Sequence, residues 1–114
     1  MSESVIDRAT FDGLQQAVGA DYVPELVNAF LDEAPTLIAQ LRPALLAGDT
    51  ETFRRAAHSI KSNAATFGAT SLFELAKELE SMARENRLGQ VGNRLEGLEE
   101  AFGHAAAALK ELSA

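Results

Sequence analysis

The chain has 114 residues and no cysteine. Disulfides, thiolate metal sites and thiol nucleophiles are thereby excluded. No apolar run approaches the roughly 18 residues that a bilayer crossing needs. The opening Met1-Ser2-Glu3-Ser4 lacks the basic start and apolar block of a secretion signal. A cytoplasmic protein with no membrane association is the expectation. A phosphate loop of the form Gly-x-x-x-x-Gly-Lys-Ser/Thr is missing, so nucleotide-driven kinase activity is not expected. No stretch alternates apolar and polar residues as a half-buried strand would. There is no internal repeat and no low-complexity linker. Positive charge is scarce: Lys and Arg number 10 against 17 Asp and Glu, a net charge of −7. A nucleic-acid partner needs a basic surface to neutralise phosphates, and none is expected here.

What remains is helical periodicity in a chain that is 46% apolar, one domain over residues 1–114 with enough material for a core. A first helix is predicted from Asp7 to Val18, with Phe11, Leu14 and Val18 inward and Gly19 as its stop. Asp21 should cap a long second helix whose inward stripe includes Val27, Phe30, Ala34, Leu41 and Leu45. Pro24 fits its first turn. Pro35 and Pro43 each remove a backbone donor, and predict either one bent helix or two shorter ones; the stripe keeps its phase across Pro35, which favours one. Asp49 or Thr50 caps a third helix, Glu51 to about Thr66. Gly68 supplies a turn. The fourth helix should run from Ala69 to Glu85 and the fifth from Val91 to Leu112. Gly92, Gly97 and Gly103 would lie inside the fifth, which should therefore fray or pack closely. The expected fold is all-α: an antiparallel four-helix bundle with an additional short N-terminal helix. The opening methionine and compact ends favour a free-standing protein.

One histidine stands out by position. On a wheel of 3.6 residues per turn, Phe53, Ala56, Ile60, Ala64 and Phe67 cluster on one side of the third helix, and His58 points roughly the opposite way. Its neighbours at three- and four-residue spacings are Arg54, Arg55, Lys61 and Ser62. An exposed imidazole ringed by cations can hold a negative group. As like charges, the cations favour the neutral, nucleophilic ring. His104 lies among Gly103, Ala105 and Ala107 with no lysine three on, and no acceptor role is expected of it. His58 and His104 fall on separate helices, and only carboxylates could complete a ligand shell between them. No metal site and no cofactor are expected.

The stretch Ala57-His58-Ser59-Ile60-Lys61-Ser62-Asn63-Ala64, followed by Phe67-Gly68-Ala69, Leu72, Leu75 and Leu79-Glu80, resembles the signature of histidine-containing phosphotransfer (HPt) domains. Histidine, lysine three on, a small residue four on, glycine ten on and a closing Leu-Glu coincide with the right periodicity. The resemblance implies that His58 accepts a phosphoryl group from a receiver-domain aspartate, or from a sensor-kinase module, and passes it to another receiver. Magnesium and catalytic carboxylates then belong to the receiver. The resemblance further implies that Lys61 steadies the phosphoryl oxygens and that Glu80 faces the histidine from the next helix; the plain reading of Glu80 is a surface carboxylate. Arg54, Arg55, Ser62 and Ala65, with Glu80, form the expected docking surface for response-regulator receivers or a hybrid sensor kinase. The plain reading of Arg54 and Arg55 is a pairing with Glu51 or Asp49. Position 62 is often glycine in the family, and serine there keeps the needed smallness. A monomer is expected. A second reading, from another class, is a helical module that docks a partner without carrying phosphate; intact His58 and Lys61 speak against it.

Overall fold

The computed structural model describes residues 5–113, so the Met1-Ser2-Glu3-Ser4 stretch discussed above lies outside the described residues. Helix α1 spans Arg8–Val18, α2 Val23–Ala47, α3 Thr50–Phe67, α4 Thr70–Arg84 and α5 Arg94–Leu112. A single 3-10 turn, Leu88–Gln90, separates the last two. Helix α2 packs on α3, α3 on α4, α4 on α5, and α5 back on α2, with the broadest contact between α3 and α4. Joins of two residues after α2 and after α3 force antiparallel neighbours, so these four helices close into a bundle. Helix α1 lies against α3 and α2.

The ends of the helices follow local chemistry in part. Asp7 and Asp49 cap α1 and α3, their carboxylates accepting from the backbone N–H of Thr10 and Thr52 at 3.2 Å each. The expected cap on α2 is not made. Tyr22, not Asp21, occupies that position and makes no side-chain bond; Pro24 begins the helix with a fixed φ and no N–H to satisfy. Helix α2 is one helix through both prolines, and Pro35 and Pro43 stand on its exposed side, where helix carbonyls tilt outward to water. Helix α4 begins at Thr70 and ends at Arg84, one residue inside each expected end.

Gly68 is left-handed at φ 76°. Its conformation is only half the reason for glycine. A Cβ there would stand 2.9 Å from the Asp7 carbonyl oxygen and 3.0 Å from Thr10 Cβ. The chain entering α1 presses on this turn: the Asp7 N–H donates to the Gly68 carbonyl at 2.7 Å, and Ile6 forms an isolated antiparallel bridge with Ala69.

The core is aliphatic, with Phe30 of α2 stacked on Phe67 of α3 at 5.1 Å and edge-on to Phe102 of α5 at 5.8 Å. Val18, expected inward, is exposed at the last position of α1. Helix α5 departs most from expectation. It starts at Arg94, and Gly92 lies before it with φ 57°, a turn residue rather than a helical one. Gly97 and Gly103 are helical, but a Cβ at either would meet no atom within 4 Å. Close packing is therefore not what they serve.

Candidate functional site

His58 sits in the middle of α3 on the side facing away from the core, with 51% of its side chain exposed. The periodicity explains this: Ala57 and Ile60 beside it are fully buried, which turns position 58 outward. Small buried residues on both helices, Ala57 and Ala64 on α3 with Ala76 and Ala83 on α4, allow the two to pack closely. That approach brings Glu80 of α4 under the histidine.

Glu80 is 2% exposed, and among the described residues it is the one buried polar or charged side chain. Three donors meet it. His58 Nδ1 stands 2.9 Å from Oε2, Arg84 donates to the same oxygen at 2.8 Å, and Lys61 Nζ lies 2.7 Å from Oε1. Burial pushes this carboxyl up, but the hydrogen bonds from Lys61 and His58 outweigh burial and hold it below the ordinary carboxylate range. A buried charge is tolerable only when paired and hydrogen-bonded, and no buried polar side-chain atom among the described residues lacks a partner. An ionised carboxylate can only accept, so in the neutral ring the proton is on Nδ1 and the lone pair on Nε2. The second nitrogen, with its lone pair, belongs to a ring that is half open to solvent.

The cations are not arranged as the sequence led us to expect. They do not stand free around the ring. Arg54 binds Glu51 through two parallel bonds of 3.2 and 2.7 Å, and Arg55 reaches the same carboxylate at 3.6 Å. The Arg54 contact holds the Glu51 carboxyl below its usual range. Lys61 is three-quarters covered and committed to Glu80. The charged group in contact with the imidazole is an anion, which replaces the like-charge environment predicted above. The reason is register: Arg54 and Arg55 sit three and four residues beyond Glu51 on their own helix, nearer to it than to any group on the ring.

Ser62 and Ala65 are exposed one and two turns along α3 from His58. Past Ala65 the surface dips into a shallow hollow lined by Ala65, Thr70, Phe73 and Thr10. The structure thus brings His58, Lys61 and Glu80 together, leaves Ser62 and Ala65 as a low surface beside them, and ties Arg54 and Arg55 to Glu51. It adds Arg84, which sequence reasoning missed. The signal was present: Arg84 is four residues from Glu80 on one helix, the spacing of an ion pair.

His104 lies on α5 at the edge of a groove shared with Val5, Ser71, Leu72 and Glu100. Among the described residues no hydrogen bond or ion pair reaches it, and no group of three His, Asp or Glu side chains gathers as metal ligands. No helix among them is long and apolar enough to cross a membrane.

A model of the Hpt domain family matches residues 25–113. The phosphorelay protein LuxU of Vibrio harveyi is 30% identical over 92 residues, covering 81% of this chain and 81% of that protein. LuxU of Vibrio cholerae is 32% identical over 91 residues, 80% of each. In three dimensions the chain is similar to the crystal structure of histidine-containing phosphotransfer protein B from Pseudomonas aeruginosa PAO1. The TM-score is 0.90 at 29% identity, over 98% of this chain and 96% of that one.

Proposed function

This chain belongs to the Hpt domain family, and from that premise we propose that His58 is its phosphoacceptor. The protein is a histidine phosphotransfer protein of a phosphorelay, a carrier without an enzymatic activity of its own. Members of the family relay phosphate between kinases and response regulators.

One observation carries the assignment: an exposed imidazole whose Nδ1 is held by a buried, charged carboxylate, leaving Nε2 with a lone pair. The Nε2 lone pair attacks the phosphorus of a receiver's aspartyl phosphate in line. The N–P bond forms as the P–O bond to the aspartyl carboxylate breaks, and its electron pair leaves with that carboxylate. The ring becomes cationic, its Nδ1–H still directed at Glu80, which stabilises the charge that develops. Transfer onward reverses the step: the N–P pair returns to Nε2 as the group passes to the next aspartate. Lys61 keeps Glu80 charged and adds positive charge beside the phosphoryl oxygens.

The receiver docks over the outer faces of α3 and α4. Ser62 and Ala65 leave room for its aspartyl phosphate, while Arg54, Arg55 and Glu80 shape the charge around the contact. The acidic remainder of the chain repels nucleic acid, and we place the protein in the cytoplasm as a single-domain monomer over residues 1–114. The test is incubation with a phosphorylated receiver. An acid-labile, base-stable phosphate should appear on the wild type and not on His58→Gln. Docking of the receiver without any label would favour a pure interaction module instead.

A further inference from the structure

The surface away from His58 has a depression of its own. Between α4 and α5 lies a groove of about 300 Å³, with Leu72 and Ala105 buried beneath it and Leu75 and Ala101 half-buried along it. It continues along α4 from Thr70 to Ser81, past Glu74 and Lys77. By helical rise that stretch is about 16 Å long, roughly three turns.

The groove exists because of what α5 lacks. On its side the lining includes Gly97 and Ala101, one turn apart. Glycine inside a helix is less favourable than alanine, and a Cβ at Gly97 would meet no atom within 4 Å. Nothing among the described residues fills the space that Gly97 leaves.

The rim is acidic. Glu100 on α5 and Glu74 on α4 make no hydrogen bond or ion pair among the described residues. Glu78, farther along α4, pairs with Arg94 at 3.1 Å. His104 stands at the near end and Lys77 at the far end. The face around His58 has the opposite character, since Arg54, Arg55, Lys61 and Arg84 gather there.

A groove between two helices offers no free backbone groups to a strand, because helical amides and carbonyls bond within their own helix. An extended peptide would leave its own unpaired against the apolar floor. A helix arrives with its backbone bonds made. It presents apolar side chains three and four residues apart on one face, with charges on its flanks.

We infer that the α4–α5 groove is a second docking surface, whose occupant is a basic amphipathic helix of a partner protein. Its apolar side chains enter between Leu75 and Ala101, above Leu72. Lysines or arginines on its flanks meet Glu74 on one wall and Glu100 on the other. The groove and His58 lie on different sides of α4, so a partner stays tethered while a receiver exchanges phosphate. Such a tether raises the effective concentration of the reacting partner without covering the acceptor. The binding is independent of the role of His58; the tethering use rests on it.

The test maps a synthetic helix onto the whole protein by amide NMR. The probe is an end-blocked peptide of about 14 residues, roughly four turns, with leucines at three- and four-residue spacings and lysines elsewhere. One control has the same composition with the leucines scattered; the other has glutamate in place of lysine. The probe should saturably shift amides of α4 between Ser71 and Ser81 and of α5 between Gly97 and Ala105, leaving His58 and Ser62 unmoved. Both controls should bind about tenfold more weakly, since one loses its apolar anchors and the other gains repulsion. Gly97→Leu fills the groove with a better helix former and no new charge, and should weaken the probe about tenfold, as for a lost apolar contact. Glu74→Gln and Glu100→Gln should each weaken it by roughly threefold and flatten its salt dependence. Transfer from a phosphorylated receiver should keep its rate with the probe bound.

Equal binding of the scattered peptide, or shifts spread evenly over the acidic surface, would mean attraction by charge alone and overturn the site. Equal binding of the glutamate peptide would overturn the basic occupant. Shifts centred on His58, no shifts at all, or unchanged binding by a Gly97→Leu protein of native helix content would equally sink the inference. Transfer that stops with the probe seated in the groove would overturn the tether. A wild type that takes no phosphate removes the acceptor and the tethering role with it, while the mapped binding stands.

Discussion

This molecule carries two histidines on two faces, and they differ in what stands behind the ring. Both are exposed and both lie on long helices. His58, on the α3–α4 face, is backed by a buried carboxylate held by two cations. His104, on the α4–α5 face, borders a groove with Ser71, Leu72 and Glu100 and makes no hydrogen bond or ion pair among the described residues. Exposure alone therefore makes no acceptor. A fixed tautomer requires a partner for Nδ1, and a partner that remains charged in the interior requires its own donors. The α3–α4 face has all of these, because the two helices pack most broadly there. The α4–α5 face has none, and its helix α5 carries two glycines, Gly97 and Gly103, at which an added Cβ would meet open space.

The sharpest way to break this contrast is to exchange the fates of the two rings. His58→Gln should abolish phosphate uptake while keeping the fold, with unfolding free energy lowered by about 1 kcal/mol, the scale of one hydrogen bond to the buried Glu80. His104→Gln should leave uptake untouched. Label that persisted in the first variant, or migrated to His104, would dissolve the distinction.

A second effect is expected from shape. Ser62→Arg adds bulk beside His58 without removing positive charge. A misplacement of the reacting groups by ~1 Å costs on the order of a hundredfold in rate, so transfer from a phosphorylated receiver should slow by roughly ten- to a hundredfold, with Ser62→Gly as the small control. Transfer at wild-type speed in the arginine variant would mean that the receiver docks elsewhere.

Removing the carboxylate tests what lies behind the ring. Glu80→Gln should slow transfer and destabilise the fold by about 1–2 kcal/mol, the scale of losing charge-assisted hydrogen bonds in a partly buried network. Lys61→Ala should weaken transfer without ending it, since lysine provides charge but no nucleophile. The pH dependence follows from the direction of the Glu80 shift. A carboxyl held lower in the folded than in the unfolded state stabilises the fold above its ordinary 4.5, and that contribution is lost as the pH falls through the folded value. Denaturant unfolding at neutral and acid pH should therefore show wild type and Glu80→Gln converging on the acid side. Curves that stay parallel down to the acid limit would show that Glu80 does not hold its charge through those bonds.

The smallest effect belongs to the other face. Gly103→Ala should stabilise α5 by up to about 1 kcal/mol, because the new Cβ meets open space and alanine restricts the unfolded chain. Transfer rates should not change. A loss of stability on calorimetry would mean that glycine is needed there for a reason the packing does not contain.

Much of this was open to reading before any coordinates. The wheel of α3 turns His58 outward because alanine, isoleucine and phenylalanine recur at three and four residues, and periodicity needs no tertiary information. Gly48 and Gly68 mark the ends of their helices for a local reason, the left-handed conformation. Boundaries were less legible where backbone and side chain compete: Asp21 looks like a cap, yet Tyr22 and Pro24 begin α2, and Gly92 ends a turn rather than sitting within α5. The cationic ring around His58 was misread for a related reason. A helical wheel ranks neighbours on one helix and contains nothing of the next.

The amino-acid sequence by itself determined the helices, the outward histidine, the lysine one turn on and the absence of thiol or nucleotide-loop chemistry, because these depend on residue type and on spacing within one helix. Only the tertiary structure decided which charges meet. Glu80 and His58 are 22 residues apart, and whether a carboxylate so far along the chain is a solvated surface group or a buried acceptor depends on how closely α3 and α4 pack. That closeness comes from alanines on two helices acting together, and it converts four separate side chains into one hydrogen-bonded site.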